Sequence, residues 1–109
     1  MNIEEIREFA LNMFDVEESC PFGPNTLVFK TNLKMFLLLP LDKDQLKFNV
    51  KCKPEIAIAL REKYPTAVLP GYHMSKKHWN TIVVNGQISQ KEMKEFIVES
   101  YQLVARKMR

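Results

Sequence analysis

Glycine is scarce in this chain, three residues in 109. No glycine-rich phosphate loop or dinucleotide fingerprint can be written with so few. Cysteine is scarcer: Cys20 and Cys52 stand far apart. They make neither a disulfide scaffold nor the paired spacing of a zinc site, and two isolated thiols fit a reducing compartment. The two histidines, His73 and His78, lie five positions apart and cannot share a helix face. No metal site is therefore expected. Neither a Ser-His-Asp pattern nor a paired-carboxylate motif can be picked out, so the chain is expected not to be an enzyme and to need no cofactor. Long apolar runs are missing as well. Met35 to Leu39, a run that no other exceeds, is stopped by Pro40, far short of the roughly 20 residues a membrane helix needs. The N-terminal stretch carries Glu4, Glu5, Arg7 and Glu8, which is not a signal peptide. The expected location is the cytoplasm, without a membrane partner.

What is present suits one globular domain spanning 1–109. Hydrophobic residues make up 46% and charged residues 27%, ordinary proportions for a globular protein. A chain of this length buries roughly 65% of its unfolded surface, enough for a core without staples. Charge is unevenly spread. Residues 1–19 hold six acids and one base, and residues 20–109 hold fifteen bases and seven acids. The basic remainder suits an anionic partner without requiring one.

Periodicity predicts a helix over 2–13, with Ile3, Ile6, Phe9, Ala10 and Met13 inward and Asn2 as cap. Residues 15–25, with two prolines and a glycine, read as a loop. Strands follow at 26–30 and 34–39, joined by a turn at Thr31-Asn32-Leu33. Met35–Leu39 is continuously apolar and belongs at the centre of a sheet. Over 45–52, Leu46, Phe48, Val50 and Cys52 alternate with Lys47, Asn49 and Lys51, giving one buried face and one basic, wet face. Pro54 opens a helix to about Tyr64, with Ile56, Ala59 and Leu60 inward. A short extended piece at 67–69, a turn at 75–77 and a strand at 79–84 come next. Ser89 and Glu92 form a capping box for a last helix reaching about Lys107, with Met93, Phe96, Ile97, Tyr101, Val104 and Met108 inward. The expected architecture is a two-layer α+β fold of order α-β-β-β-α-β-β-α. An antiparallel five-stranded sheet carries the helices on one face.

Two groups of residues invite a function. The segment 70–81 gathers His73, His78, Trp79 and Asn80 beside Lys76 and Lys77. Trp79 either fills the core or stacks on a base, and its place opening an apolar strand favours the core. Lys76 and Lys77 suit phosphate contacts, or are simply solvated. The second group is Lys30, Lys34, Lys43, Lys47, Lys51 and Lys53. Lys47 and Lys51 project from one strand face roughly 13 Å apart at about 3.3 Å per residue. Such a row can follow a phosphate backbone, and it can equally be an ordinary solvent-facing sheet surface.

Three pieces together resemble the MmcQ/YjbR family. They are Pro21-Phe22-Gly23-Pro24 with Val28-Phe29-Lys30 and Lys34-Met35-Phe36; Leu46 to Cys52 leading into Pro54-Glu55; and His73-Met74-Ser75-Lys76-Lys77-His78-Trp79-Asn80-Thr81. The resemblance implies a two-layer fold similar to secretion chaperones. It also implies DNA binding, through a sheet similar to the "double wing" of a phage transcription factor. It places the DNA contacts on Lys47, Lys51, Lys76 and Lys77, with Lys30, Lys34 and Lys53 adding charge. One departure is Lys53, where the family often has an Asp to cap the second helix. The implied partners are double-stranded DNA or, on the chaperone likeness, a protein, with the chain a monomer or a weak homodimer. The chaperone-like reading requires an apolar groove on the sheet face instead of a continuous positive surface.

Overall fold

The computed structural model describes residues 1–41, 44–71 and 74–106. Helix α1 covers Ile3–Leu11 and begins with a complete capping box. The Asn2 side chain accepts from the Glu5 N–H at 2.8 Å, and Glu5 returns a bond from the Asn2 N–H, which satisfies two orphan donors at once. Ile6 and Ala10 are fully buried.

The loop expected over 15–25 contains a strand, β1, Glu17–Ser19. It pairs antiparallel with β2, Thr26–Thr31. The sheet therefore has six strands, not five, and the order becomes α-β-β-β-β-α-β-β-α. Three polar residues give no apolar alternation to read. β1 forms on the edge that β2 offers, and Arg7 of α1 clips it in place through a two-pronged bond to Glu18.

β2 turns into β3, Lys34–Pro40, through Asn32 and Leu33. Both have positive φ, 53° and 63°, the backbone of a type I′ hairpin turn. A bulge at Phe29/Lys30 shifts the register. It lets Phe36 join Leu37 and Leu39 in the main core while Leu38 faces the other way. β3 is thus buried on both faces, as its continuous apolar run requires. β4, Lys47–Lys51, lies beside it, then β6, Trp79–Val83, then β5, Val68–Pro70, giving the open order β1-β2-β3-β4-β6-β5 with every pairing antiparallel.

Helix α2 runs over Pro54–Lys63. Its inward residue is Ala57, fully buried, whereas Ile56 and Ala59 of the expected stripe are exposed. Leu60 does pack on the core. The small alanine allows close approach: the Asn80 amide donates to the Ala57 carbonyl at 3.3 Å. Lys53 occupies the N-cap with no side-chain bond, the consequence of a cation standing where a carboxylate would cap.

Helix α3, Gln90–Val104, lays Met93, Phe96, Ile97, Ser100 and Val104 on the sheet. Tyr101 meets Phe36 edge to face at 5.4 Å. The helix stops short of the expected Lys107, because Ala105 is extended and the Asn32 amide takes the Val104 carbonyl. Met108 and Lys107 lie outside the described residues. Only half of the capping box forms: Ser89 accepts from the Glu92 N–H, while the Glu92 carboxylate accepts from the Tyr64 hydroxyl at 2.6 Å. The main core thus lies between the sheet and α1, α3 and part of α2. Among the described residues no helix is long and apolar enough to cross a membrane.

Candidate functional site

The sheet face turned away from the helices carries the site. Its strands place Val28 and Lys30 of β2, Met35 and Leu38 of β3, Lys47, Asn49 and Lys51 of β4, and Trp79 and Thr81 of β6 on that side. The wet lysine surface expected there is not what forms. Val28, Leu38 and Trp79 make a second small core on this face, with Met35 and Met74 packed on it. Asn49 is buried, its oxygen accepting from the Thr81 hydroxyl across β4·β6.

Over this floor lies a trough of about 620 Å³. Phe22, Met35, Leu38, Pro40, Leu69 and Trp79 supply its apolar lining, with Asn49, Thr81, Gln45 and Ser75 among its polar groups. Among the described residues lining it, Lys47 is the one that is charged. Phe22 overhangs one side and is 63% exposed. The volume falls within the roughly 300–1,000 Å³ typical of ligand sites.

The register collects the lysines at one end of the sheet. Lys34 begins β3 at the hairpin. Val50 pairs with Leu37, so Lys51 lies level with Phe36, near that same hairpin. Lys51 pairs with Trp79, which puts the turn before β6 at this end too. That turn is closed by bonds from the His78 and Trp79 N–H groups to the Ser75 carbonyl, and it exposes Lys76, Lys77 and His78. The Cys52 N–H donates to the His78 carbonyl at 2.7 Å, tying the Lys51–Lys53 stretch to the turn. Lys34, Lys51, Lys53, Lys76 and Lys77 therefore share one end of the fold. The Arg7–Glu18 ion pair lies on the helix side.

The remaining expected site residues divide. Lys30 reaches the same end but faces Glu17 across β1·β2 and shares a crevice with Asp15, Glu17 and Arg106, so its charge is offset. Lys47 stands apart, four residues along β4 from Lys51. Asn80 turns away from the open face. It is fully buried on the helix side, bonded to α2, and among the described residues its Oδ1 has no partner. Trp79 is a core residue, as its place at the strand start predicts, and also a wall of the trough. His73, Tyr72 and Lys43 lie outside the described residues. Phe22, Met35 and Leu69 were missed by sequence reasoning; isolated apolar residues in a loop, a hairpin and an edge strand give no periodic signal. No group of three His, Cys, Asp or Glu side chains forms among the described residues.

The family model YjbR matches residues 11–103. The chain belongs to the YjbR family. Its relatives in that family include YbdF of Escherichia coli O157:H7, 35% identical over 101 residues that span 93% of this chain and 82% of the relative. YyaQ of Bacillus subtilis is 42% identical over a shorter stretch, 50% of this chain and 45% of the relative. Both are named as uncharacterized proteins, so the family membership brings no activity with it. A crystal structure from Deinococcus radiodurans is 33% identical with a TM-score of 0.90, covering 97% of this chain and 80% of that one. A crystal structure from Pseudomonas syringae is 30% identical with a TM-score of 0.82, covering 95% and 99%. The α+β architecture of the YjbR family is thus the one described above.

Proposed function

We propose that the protein is a non-enzymatic nucleic-acid-binding module that grips the phosphates of DNA with the basic end of its open sheet face. The observation that carries this reading is the gathering of Lys34, Lys51, Lys53, Lys76 and Lys77 by strand register and the Cys52–His78 bond. Strand register brings lysines from three separate stretches to one end of the fold, Lys34 on the helix side of the sheet and Lys51 on the open side, and several cations within reach of one backbone are what phosphate binding needs. With about five phosphates neutralised, log affinity should fall against log salt with a slope of about −4.5, or roughly 500-fold between 50 and 200 mM.

Titration of a labelled 20-base-pair duplex at rising salt tests it. Lys51→Glu combined with Lys76→Glu should abolish most of the binding while leaving the fold intact, since Lys76 is exposed and Lys51 is half-buried at the end of β4; a thermal melt of the variant checks the fold. No binding of the wild type at 50 mM salt, or unchanged affinity in the variant, overturns the reading. The trough favours a second reading, a protein-interaction module, because an apolar depression on the sheet face serves a partner's side chains. A nuclease-insensitive protein partner displaced by a charged substitution at Leu69 would support it. In either reading the cytoplasm is the proposed location.

A further inference from the structure

We infer that the preferred ligand is single-stranded nucleic acid, with unstacked bases seated in the trough and phosphates held by the lysines at its two ends. The inference rests on the nucleic-acid reading and deepens it.

A duplex engages only half of what this face offers. Its phosphates reach the lysines, but its bases stay stacked inside and present only their edges in the grooves. The trough beside the lysines would stay empty. An unpaired strand offers both chemistries, phosphate on one side and a π-face on the other, and a basic groove with aromatic groups is what such strands bind. Here the aromatic groups are Phe22, exposed at the lining, and Trp79, which is mostly buried but contributes to the wall. Met35 and Met74 are polarizable and adapt to flat rings. Asn49 and Thr81 put a polar pair on the floor within reach of base edges. Lys47 at one end and Lys51 with Lys76 and Lys77 at the other flank the trough along its length. The charge fits: among the described lining residues Lys47 is the only charged one, and none is a carboxylate.

A peptide fits less well. β3, β4 and β6 are each paired on both sides, so the free backbone at the trough is that of the short edge strand β5, which gives an extended segment little to add to. The free edges are β1 and β5, three residues each, the latter ending in Pro70. A peptide would have to hold on mainly by side chains.

The chain has one tryptophan, and it is in the trough wall, so its emission reports occupancy directly. The test titrates the full chain at 100 mM salt with a 12-nucleotide oligothymidylate and, separately, with a 12-base-pair duplex, following both Trp79 emission and the anisotropy of labelled nucleic acid. The expected result is saturable quenching by the oligothymidylate and affinity at least tenfold above that for the duplex. Phe22→Ala, at an exposed position, should weaken single-strand binding by about tenfold and leave duplex binding unchanged; Leu69→Ala, also exposed, is the second variant. Equal affinity for both forms with unmoved Trp79 emission and silent variants overturns this inference and leaves the phosphate-binding reading standing. Absence of binding by either form at 50 mM salt removes both and leaves the trough to a protein partner.

Discussion

Ser100 is the residue whose loss tests the account of the sheet most directly. It is fully buried on α3. β3 and β4 pair directly at Leu37↔Val50 and Leu38↔Asn49. At the next step, level with the bulge, the Ser100 hydroxyl stands between them. It donates to the Phe36 carbonyl at 2.5 Å and accepts from the Lys51 N–H at 2.8 Å. Ser100→Ala removes one oxygen and leaves two backbone groups without partners. Each lost bond is worth about 1 kcal/mol net, and stranding a buried polar group costs about 1–3 kcal/mol, so the expected destabilisation is about 2–4 kcal/mol. That is a large share of the roughly 5–15 kcal/mol that holds an ordinary domain together. With a urea m-value near 1.5 kcal/mol/M, the midpoint should fall by about 1.3–2.7 M with m unchanged. Amide exchange should show the Lys51 N–H losing protection relative to Asn49 and Val50. A midpoint shift under about 0.3 M, or unchanged Lys51 protection, would refute the reasoning. Because Lys51 stands at the basic end, the variant should also weaken binding of a labelled duplex at salt concentrations where it remains folded.

Other outcomes follow from single positions. A Cβ on Gly71 would stand 2.7 Å from the Trp79 Cβ; Gly71→Ala should therefore cost about 1–3 kcal/mol and shift Trp79 emission, and a neutral melting curve with unmoved emission would contradict the packing. Leu33 is 89% exposed with φ 63°, so Leu33→Gly should stabilise by about 0.5–1 kcal/mol by relieving left-handed strain, and a lower thermal midpoint would argue against the turn. Burial pushes the Cys52 thiol above its usual range, with the nearby Glu99 charge adding to it. At pH 8 a disulfide reagent should therefore modify the exposed Cys20 first and Cys52 much more slowly, and equal rates would show that Cys52 is not sheltered.

Much of the fold could be read in the residues because local chemistry and global need agree there. Asn2 and Ser89 mark helix starts, Pro54 sits where a helix has no use for its N–H, and the alternation of β4 separates Phe48 and Val50 from Asn49 and Lys51. β1 could not be read, since Glu17, Glu18 and Ser19 acquire strand structure only from β2 and from Arg7. The face of α2 misled because isoleucine is more apolar than alanine, yet close approach to Asn80 selected Ala57. The lysine cluster was half legible: the residues were nameable, but their convergence depends on β6 lying beside β4. An apolar groove on this face followed only from the chaperone-like reading, and the residues that line it gave no signal of their own. It is built from a loop, five strands of the sheet face and the turn before β6, each giving one to three side chains.

That β4–β6 adjacency has a kinetic consequence. Residues 17–51 close β1 to β4 through neighbouring hairpins, contacts that a growing chain makes early. The partner of β4 comes roughly thirty residues later, past α2 and β5, and closing a longer loop costs more chain entropy and time. Asn49 and Lys51 on one side of this seam, and Thr81 and Trp79 on the other, meet only when it zips. A partly synthesised or partly refolded chain thus has its first hairpins but no recognition surface, and competence to bind should appear in one step with the last strand.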